Sequence, residues 1–205
     1  MKSLFDFIVE PLNGKYNSEI KLSDKSLVTN VDLDNFRAVS NMAKVVSTPL
    51  AYNTKISEGD IIIIHHNVFR TFRDIRGKQK TSRSKFTENL YFVAMDQVYM
   101  YKNKEKWNTI NNRCFVKPLV SNNDLTLDKE RELIGILKYG NSSLEALKIT
   151  PGDVIGYTPD GEYEFFIDGE RLYCMKSNDI VIKYEHQGNE VEYNPSWAKS
   201  SWRIN

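Results

Sequence analysis

A chain of 205 residues is long enough for two small domains of roughly 100 residues each. Its aromatic and β-branched residues are plentiful and its Gly and Pro are scattered, which excludes disorder and points to packed strands. A net charge of +1 argues against a general polyanion or nucleic-acid binder, and uninterrupted apolar runs as short as Ile61 to Ile64 exclude a helical membrane span.

The N-terminal Met1-Lys2-Ser3-Leu4-Phe5-Asp6 has no signal-peptide core, so a cytoplasmic location is expected. Phe5-Asp6-Phe7-Ile8-Val9-Glu10-Pro11 alternates and stops at proline, which predicts a first strand. Residues 13–35 are rich in Asn, Ser, Asp and Lys and hold no helical period; they read as a long loop. Residues 36–46 read mostly as strand, and Gly59-Asp60 starts another at Ile61. Residues 68–85 carry Arg70, Arg73, Arg76, Lys78, Lys80, Arg83 and Lys85 against Asp74 alone. They predict a hairpin extension, either a solvated basic loop or a contact with a partner or nucleic acid. Strands at Asn89 to Ala94 and Gln97 to Tyr101 close a first unit, residues 1–103, and the charged Lys102-Asn103-Lys104-Glu105-Lys106 reads as a linker.

The pattern then restarts. Cys114-Phe115-Val116-Lys117-Pro118-Leu119 mirrors Ile8-Val9-Glu10-Pro11-Leu12. A shorter loop, 121–131, precedes a strand at Leu133 to Leu137 and a turn region at Tyr139 to Leu147. Pro151-Gly152-Asp153 then launches Val154 to Tyr157. Asp168-Gly169 predicts a tight hairpin between Tyr163-Glu164-Phe165-Phe166-Ile167 and Arg171 to Met175, and Ile180 to Tyr184 is the last strand. This second unit spans 107–187. Residues 188–205 form a tail with Tyr193, Pro195, Trp197 and Trp202, read as a strap on one barrel or as a contact with a neighbouring subunit or partner. Divided near residue 106, the halves carry charges of +5 and −4, which would suit head-to-tail contact. Two units of short strands, turn punctuation and an internal repeat predict an all-β chain of two tandem small β-barrels.

No catalytic constellation is present. The glycines are too scattered for a phosphate loop, and no Gly-x-Ser-x-Gly occurs. His65 and His66 are adjacent in a predicted strand, so they are expected to point to opposite faces and not to share a metal. Cys114 and Cys174 are expected to be reduced core residues. Asp60 and Asp153, following turn glycines, are expected to bond backbone N–H groups. The chain is therefore not expected to be an enzyme or to hold a cofactor or metal.

The order Ile149-Thr150-Pro151-Gly152-Asp153-Val154-Ile155, Phe166-Ile167-Asp168-Gly169-Glu170-Arg171-Leu172-Tyr173-Cys174-Met175, Ser177-Asn178-Asp179-Ile180-Val181-Ile182 resembles the C-terminal half of the GroES-like co-chaperonins. The match runs from Cys114 to Tyr184, and Phe5 to Tyr101 is a more divergent copy. The tandem form resembles the double co-chaperonins of chloroplasts; its enlarged loops are more similar to co-chaperonins carried by large bacteriophages. The resemblance implies a lid that assembles into a ring and caps a nucleotide-bound GroEL-type chaperonin, enclosing client proteins such as a phage capsid protein. It would then act in the cytoplasm, that of the host if phage-encoded. Each barrel would extend a mobile loop after its first strand, docking an apolar triplet into the chaperonin. Glu19-Ile20-Lys21-Leu22 and Asp124-Leu125-Thr126-Leu127 sit where the family has Gly-Ile-Val-Leu. The implied chaperonin-binding residues are therefore Ile20, Lys21, Leu22, Leu125, Thr126 and Leu127, with Leu27 and Val28 as an alternative anchor. Only residues 51–55 and 141–148 are available for the family's roof hairpin. The second reading is a β-barrel structural or assembly protein, for instance of a virion, with no chaperone role.

Overall fold

The computed structural model describes residues 2–16, 19–22, 25–28, 38–120, 130–159, 161 and 163–185. Among the described residues strands make up 50% and helices 10%, and the sheets are antiparallel, which places the chain in the all-β class. Two compact units divide between Ile110 and Asn111. No helix among the described residues is long and apolar enough to cross a membrane.

The first unit is a six-stranded sheet. Its strands are β1 (Phe7–Pro11), β4 (Met42–Ser47), β5 (Ile61–Ile64), β8 (Tyr91–Val93), β9 (Val98–Asn103) and β10 (Lys106–Thr109), in the spatial order β10-β9-β5-β4-β1-β8. Two separate two-stranded pieces complete it: β2 (Glu19–Leu22) with β3 (Lys25–Val28), and β6 (Thr71–Arg73) with β7 (Gln79–Thr81). Period-two alternation is clear in β4, where Ala43, Val45 and Ser47 are buried and Lys44 and Val46 face water. The four isoleucines of β5 lie between β4 and β9; Ile62, Ile63 and Ile64 are fully buried. Phe7, Val9, Val45, Ile62, Phe69 and Tyr91 share one core, each contributing about 1.5–3 kcal/mol on burial. Phe69 meets Tyr91 edge to face, with ring centroids 4.8 Å apart.

The second unit repeats the design. Its strands are β11 (Arg113–Val120), β12 (Glu130–Tyr139), β13 (Val154–Tyr157), β14 (Tyr163–Ile167), β15 (Glu170–Lys176) and β16 (Ile180–Lys183), ordered β14-β15-β11-β12-β13-β16. Five strands correspond in both chain order and position: β8-β1-β4-β5-β9 matches β15-β11-β12-β13-β16. Each unit then adds one hairpin strand of its own, β10 on β9 and β14 on β15. No pairing among the described residues joins the two outer strands of either sheet.

The duplication extends to single hydrogen bonds. In the first unit Asp60 Oδ2 accepts from Ser57 N at 2.8 Å, Gly59 N donates to Val45 O and Val45 N to Asp60 O. In the second, Asp153 Oδ2 accepts from Thr150 N at 2.8 Å, Gly152 N donates to Leu137 O and Leu137 N to Asp153 O. Gly59 and Gly152 have φ of +91° and +99°, a conformation that a side chain would strain. A register irregularity falls between Ile8 and Val9 in one copy and between Phe115 and Val116 in the other. A short 3-10 turn leads into the closing strand in both. Gln97 Oε1 accepts from Ala94 N in the first, and Asp179 Oδ2 from Lys176 N in the second.

The two turn aspartates differ in surroundings. Asp153 also pairs with Lys183 at 2.7 Å, and its side chain is 12% exposed. Burial alone would raise its pKa; hydrogen bonds and charge from Lys183 and Thr150 outweigh that and hold it below the usual carboxylate value. Its stabilising effect is therefore present above the unfolded carboxylate pKa and is lost as pH falls through the lower folded one. Asp153→Asn is expected to cost about 1.5–3 kcal/mol, the value of a hydrogen bond to a charged group, and Asp60→Asn less, because no ion pair to Asp60 is found among the described residues. Urea unfolding at neutral pH measures both, and equal losses would show that the Lys183 pair adds nothing.

Four sequence expectations change. Residues 102–106 are no linker: they turn β9 into β10, with Lys104 and Glu105 at φ of 47° and 65°. Residues 13–35 contain the β2–β3 pair. The turn region after β12 holds a short helix, α1 (Ser142–Ala146), capped by Asn141, whose Oδ1 accepts from Ser143 N and Leu144 N. His65 and His66 do not face apart. β5 ends at Ile64 and a 3-10 turn, His66–Val68, begins, so strand alternation does not extend to them; their rings stack with centroids 4.4 Å apart. Cys114 and Cys174 are free and buried, and burial pushes each thiol up to about 12.

Candidate functional site

The first unit carries two appendages, and Tyr16 lies at the root of both. Beyond Pro11 the β1–β4 ladder continues as a neck: Leu12 N donates to Met42 O, Ser40 N to Lys15 O, and Tyr16 bridges to Val39. The β2–β3 hairpin is inserted past this neck. Its Cα register pairs Glu19 with Val28, Ile20 with Leu27, Lys21 with Ser26 and Leu22 with Lys25. Cross-strand partners share a face and residues two apart return to it, so Ile20, Leu22, Leu27 and Lys25 occupy same-face positions, with Glu19, Lys21, Ser26 and Val28 on the other. Sequence reasoning offered Ile20 to Leu22 and Leu27-Val28 as competing anchors; the pairing brings Ile20 and Leu27 together. Leu125, Thr126 and Leu127 lie outside the described residues, as does the 188–205 tail.

Tyr16 also roots the second appendage. Its hydroxyl accepts from Thr71 N at 3.0 Å, where β6 begins. Ser82 N donates to Arg70 O, extending the β6–β7 ladder, and Phe92 N donates to Ser84 O, so with the Tyr16 bond the ribbon is tied to the body on both sides.

His66 lies beside this root. Burial first, then the neighbouring His65 and Arg70, lower its pKa to about 4. It stays neutral in the fold while an unfolded histidine takes up a proton near pH 6.5. Stability is therefore expected to fall as pH drops from about 6.5 to about 4, and to take no further contribution from His66 below that. His66→Gln should flatten this window in urea titrations between those limits, and an unchanged slope would assign it to other groups.

A third feature had no sequence signal beyond unexplained apolar residues. Leu4 and Phe5 are 62% and 69% exposed and, with Ile8, Phe86 and Phe92, line a cleft of about 350 Å3. The N-terminal segment is held there by Leu50 N donating to Ser3 O and Ala51 N to Leu4 O. The described residues contain no group of three or more His, Cys, Asp or Glu able to hold a metal ion. Comparison with protein-family models and with curated proteins returns no match to this sequence.

Proposed function

We propose that this chain is a co-chaperonin. Each unit would be one small β-barrel, and several barrels would form a ring that caps the nucleotide-bound chamber of a GroEL-type chaperonin and helps client proteins fold. ATP would be bound by the chaperonin, and no chemistry would be catalysed here. A phage origin, with action in the host cytoplasm and a capsid protein as client, fits the enlarged loops.

The observation that carries the reading is the β2–β3 hairpin between the first and second strands of the first sheet. That is where the resemblance implies a docking loop, and a paired segment with Ile20, Leu22 and Leu27 at same-face positions is the form an apolar groove accepts. Support also comes from the duplicated five-strand order, which goes with the tandem arrangement.

Lid-dependent refolding tests it. A denatured client, diluted into chaperonin and ATP, should regain activity only when this chain is added. No gain in yield from a chain with an intact β-sheet spectrum would overturn the proposal. Recovery of the chain in stoichiometric amounts from purified particles would favour the structural-protein reading instead.

A further inference from the structure

We propose that the β6–β7 ribbon binds double-stranded nucleic acid. The argument starts from charge. Residues 70–85 carry seven Lys and Arg against one Asp, a local +6 in a chain whose total is +1. The low total charge argues against polyanion binding by the whole surface; it leaves open a single concentrated element. The one acid does not neutralise its neighbours' side chains. Asp74 Oδ1 accepts from Arg76 N and from Lys78 N, each at 2.9 Å, and so holds the backbone of the turn. Among the described residues no ion pair involves Arg76, Lys78, Lys80, Arg83 or Lys85.

Shape then narrows the partner. The ribbon's register is Thr71 with Thr81, Phe72 with Lys80 and Arg73 with Gln79. Lys80 and Arg73 therefore stand on opposite faces, and Arg76 and Lys78 lie at the tip. A ribbon docking on a flat acidic protein surface needs cations on one face. One that enters a groove between two phosphate walls needs them on both. The major groove of a duplex, about 12 Å wide, admits a two-stranded ribbon. The root bonds to Tyr16 and Phe92 hold the element in place before any partner arrives, which lowers the cost of ordering it on binding.

The apolar residues point the same way. Ile75, at the tip, is 104% exposed and Phe72 is 37% exposed. In a major groove, apolar side chains presented among cations can pack on the thymine methyl groups. The Arg70 guanidinium lies 6.0 Å from the Phe72 ring centre, and Arg70 Nε is buried with no hydrogen-bond partner among the described residues.

The test needs no chaperonin, so it stands or falls apart from the lid function. A fluorescent duplex of about 20 base pairs is titrated with the full chain between ~50 and ~200 mM salt, reading anisotropy. With about four phosphate contacts, affinity should fall about a hundredfold across that range. Lys78→Glu with Lys80→Glu and Arg83→Glu should abolish binding at the low-salt end while thermal unfolding stays unchanged. Arg76→Gln alone, a milder change, should weaken binding and reduce the salt slope by about one. No binding at low salt, or binding unaffected by either variant, overturns the proposal. So does a single strand that binds as tightly, since a groove is then not what is read. A polyglutamate peptide competing as well as the duplex overturns it too, in favour of an acidic protein partner.

Discussion

Ile20→Asp combined with Leu27→Asp is expected to eliminate nucleotide-dependent chaperonin binding while leaving the thermal unfolding midpoint where it was. The two residues are Cα partners across the β2–β3 register, and among the described residues β2 and β3 pair only with each other. Neither strand hydrogen-bonds to a six-stranded sheet among the described residues, so the fold should tolerate charges placed there. In a docked complex both would enter an apolar groove, where an unpaired carboxylate is strongly disfavoured. Even a few kcal/mol lost corresponds to about a hundredfold or more in affinity. Lys21→Val should act in the opposite direction, because it supplies the apolar middle residue that the resembled family carries. Pull-down with an immobilised chaperonin and ATP measures all three. Full binding by the double variant would show that the hairpin is not the docking element.

The second large effect is on stability. Gly135→Ala is expected to cost about 2–3 kcal/mol, in the range of an overpacked core. Gly135 pairs with Pro118 on one side and Ile155 on the other. A Cβ there would sit 2.7 Å from Lys117 O and closer still to Val116 Cγ1. The backbone oxygen cannot swing aside as a side-chain tip can, so the β11–β12 ladder itself must give. The prediction runs against the internal repeat. The equivalent position of the first unit, opposite Pro11, is Ala43, which is fully buried and accommodated. For a unit of this size the loss corresponds to a fall in Tm on the order of 10 °C or more, read by calorimetry. A Tm within about 2 °C of the parent would mean that the strands separate at little cost, and that the close approach at Gly135 is incidental.

The framework was largely legible because it is written in residues with specific backbone demands. Gly59 and Gly152 sit at positive φ, and each following aspartate caps its turn as expected. Asp168 and Gly169, at φ of 50° and 81°, make the tight turn that their identities predict. Where such residues are missing the reading failed. Lys104 and Glu105 adopt the same left-handed conformation with no glycine or asparagine to announce it, so a hairpin looked like a linker. The five-residue α1 is too short to establish a helical period, although Asn141 is a good cap. The β2–β3 pair is formed by four-residue strands with two apolar residues each, below the length at which alternation stands out. The histidine pair was misread because alternation was carried two residues past the end of β5.

Within the candidate site, sequence order pointed to a segment but could not pair it. Ile20 and Leu27 were treated as alternatives because they are seven residues apart, and only the register places them opposite one another. The basic stretch was equally visible as composition. What composition lacks is the arrangement: cations on both faces of a ribbon, an acid committed to the turn, and a root bonded to Tyr16.

The central claim is that this chain is a chaperonin lid, and sedimentation velocity tests it most directly. The chain, labelled, is mixed with a GroEL-type chaperonin with and without ATP. The account predicts that the label moves with the chaperonin when ATP is present and separates from it when ATP is absent. Label that sediments apart from the chaperonin under both conditions, with the chain folded, would contradict it.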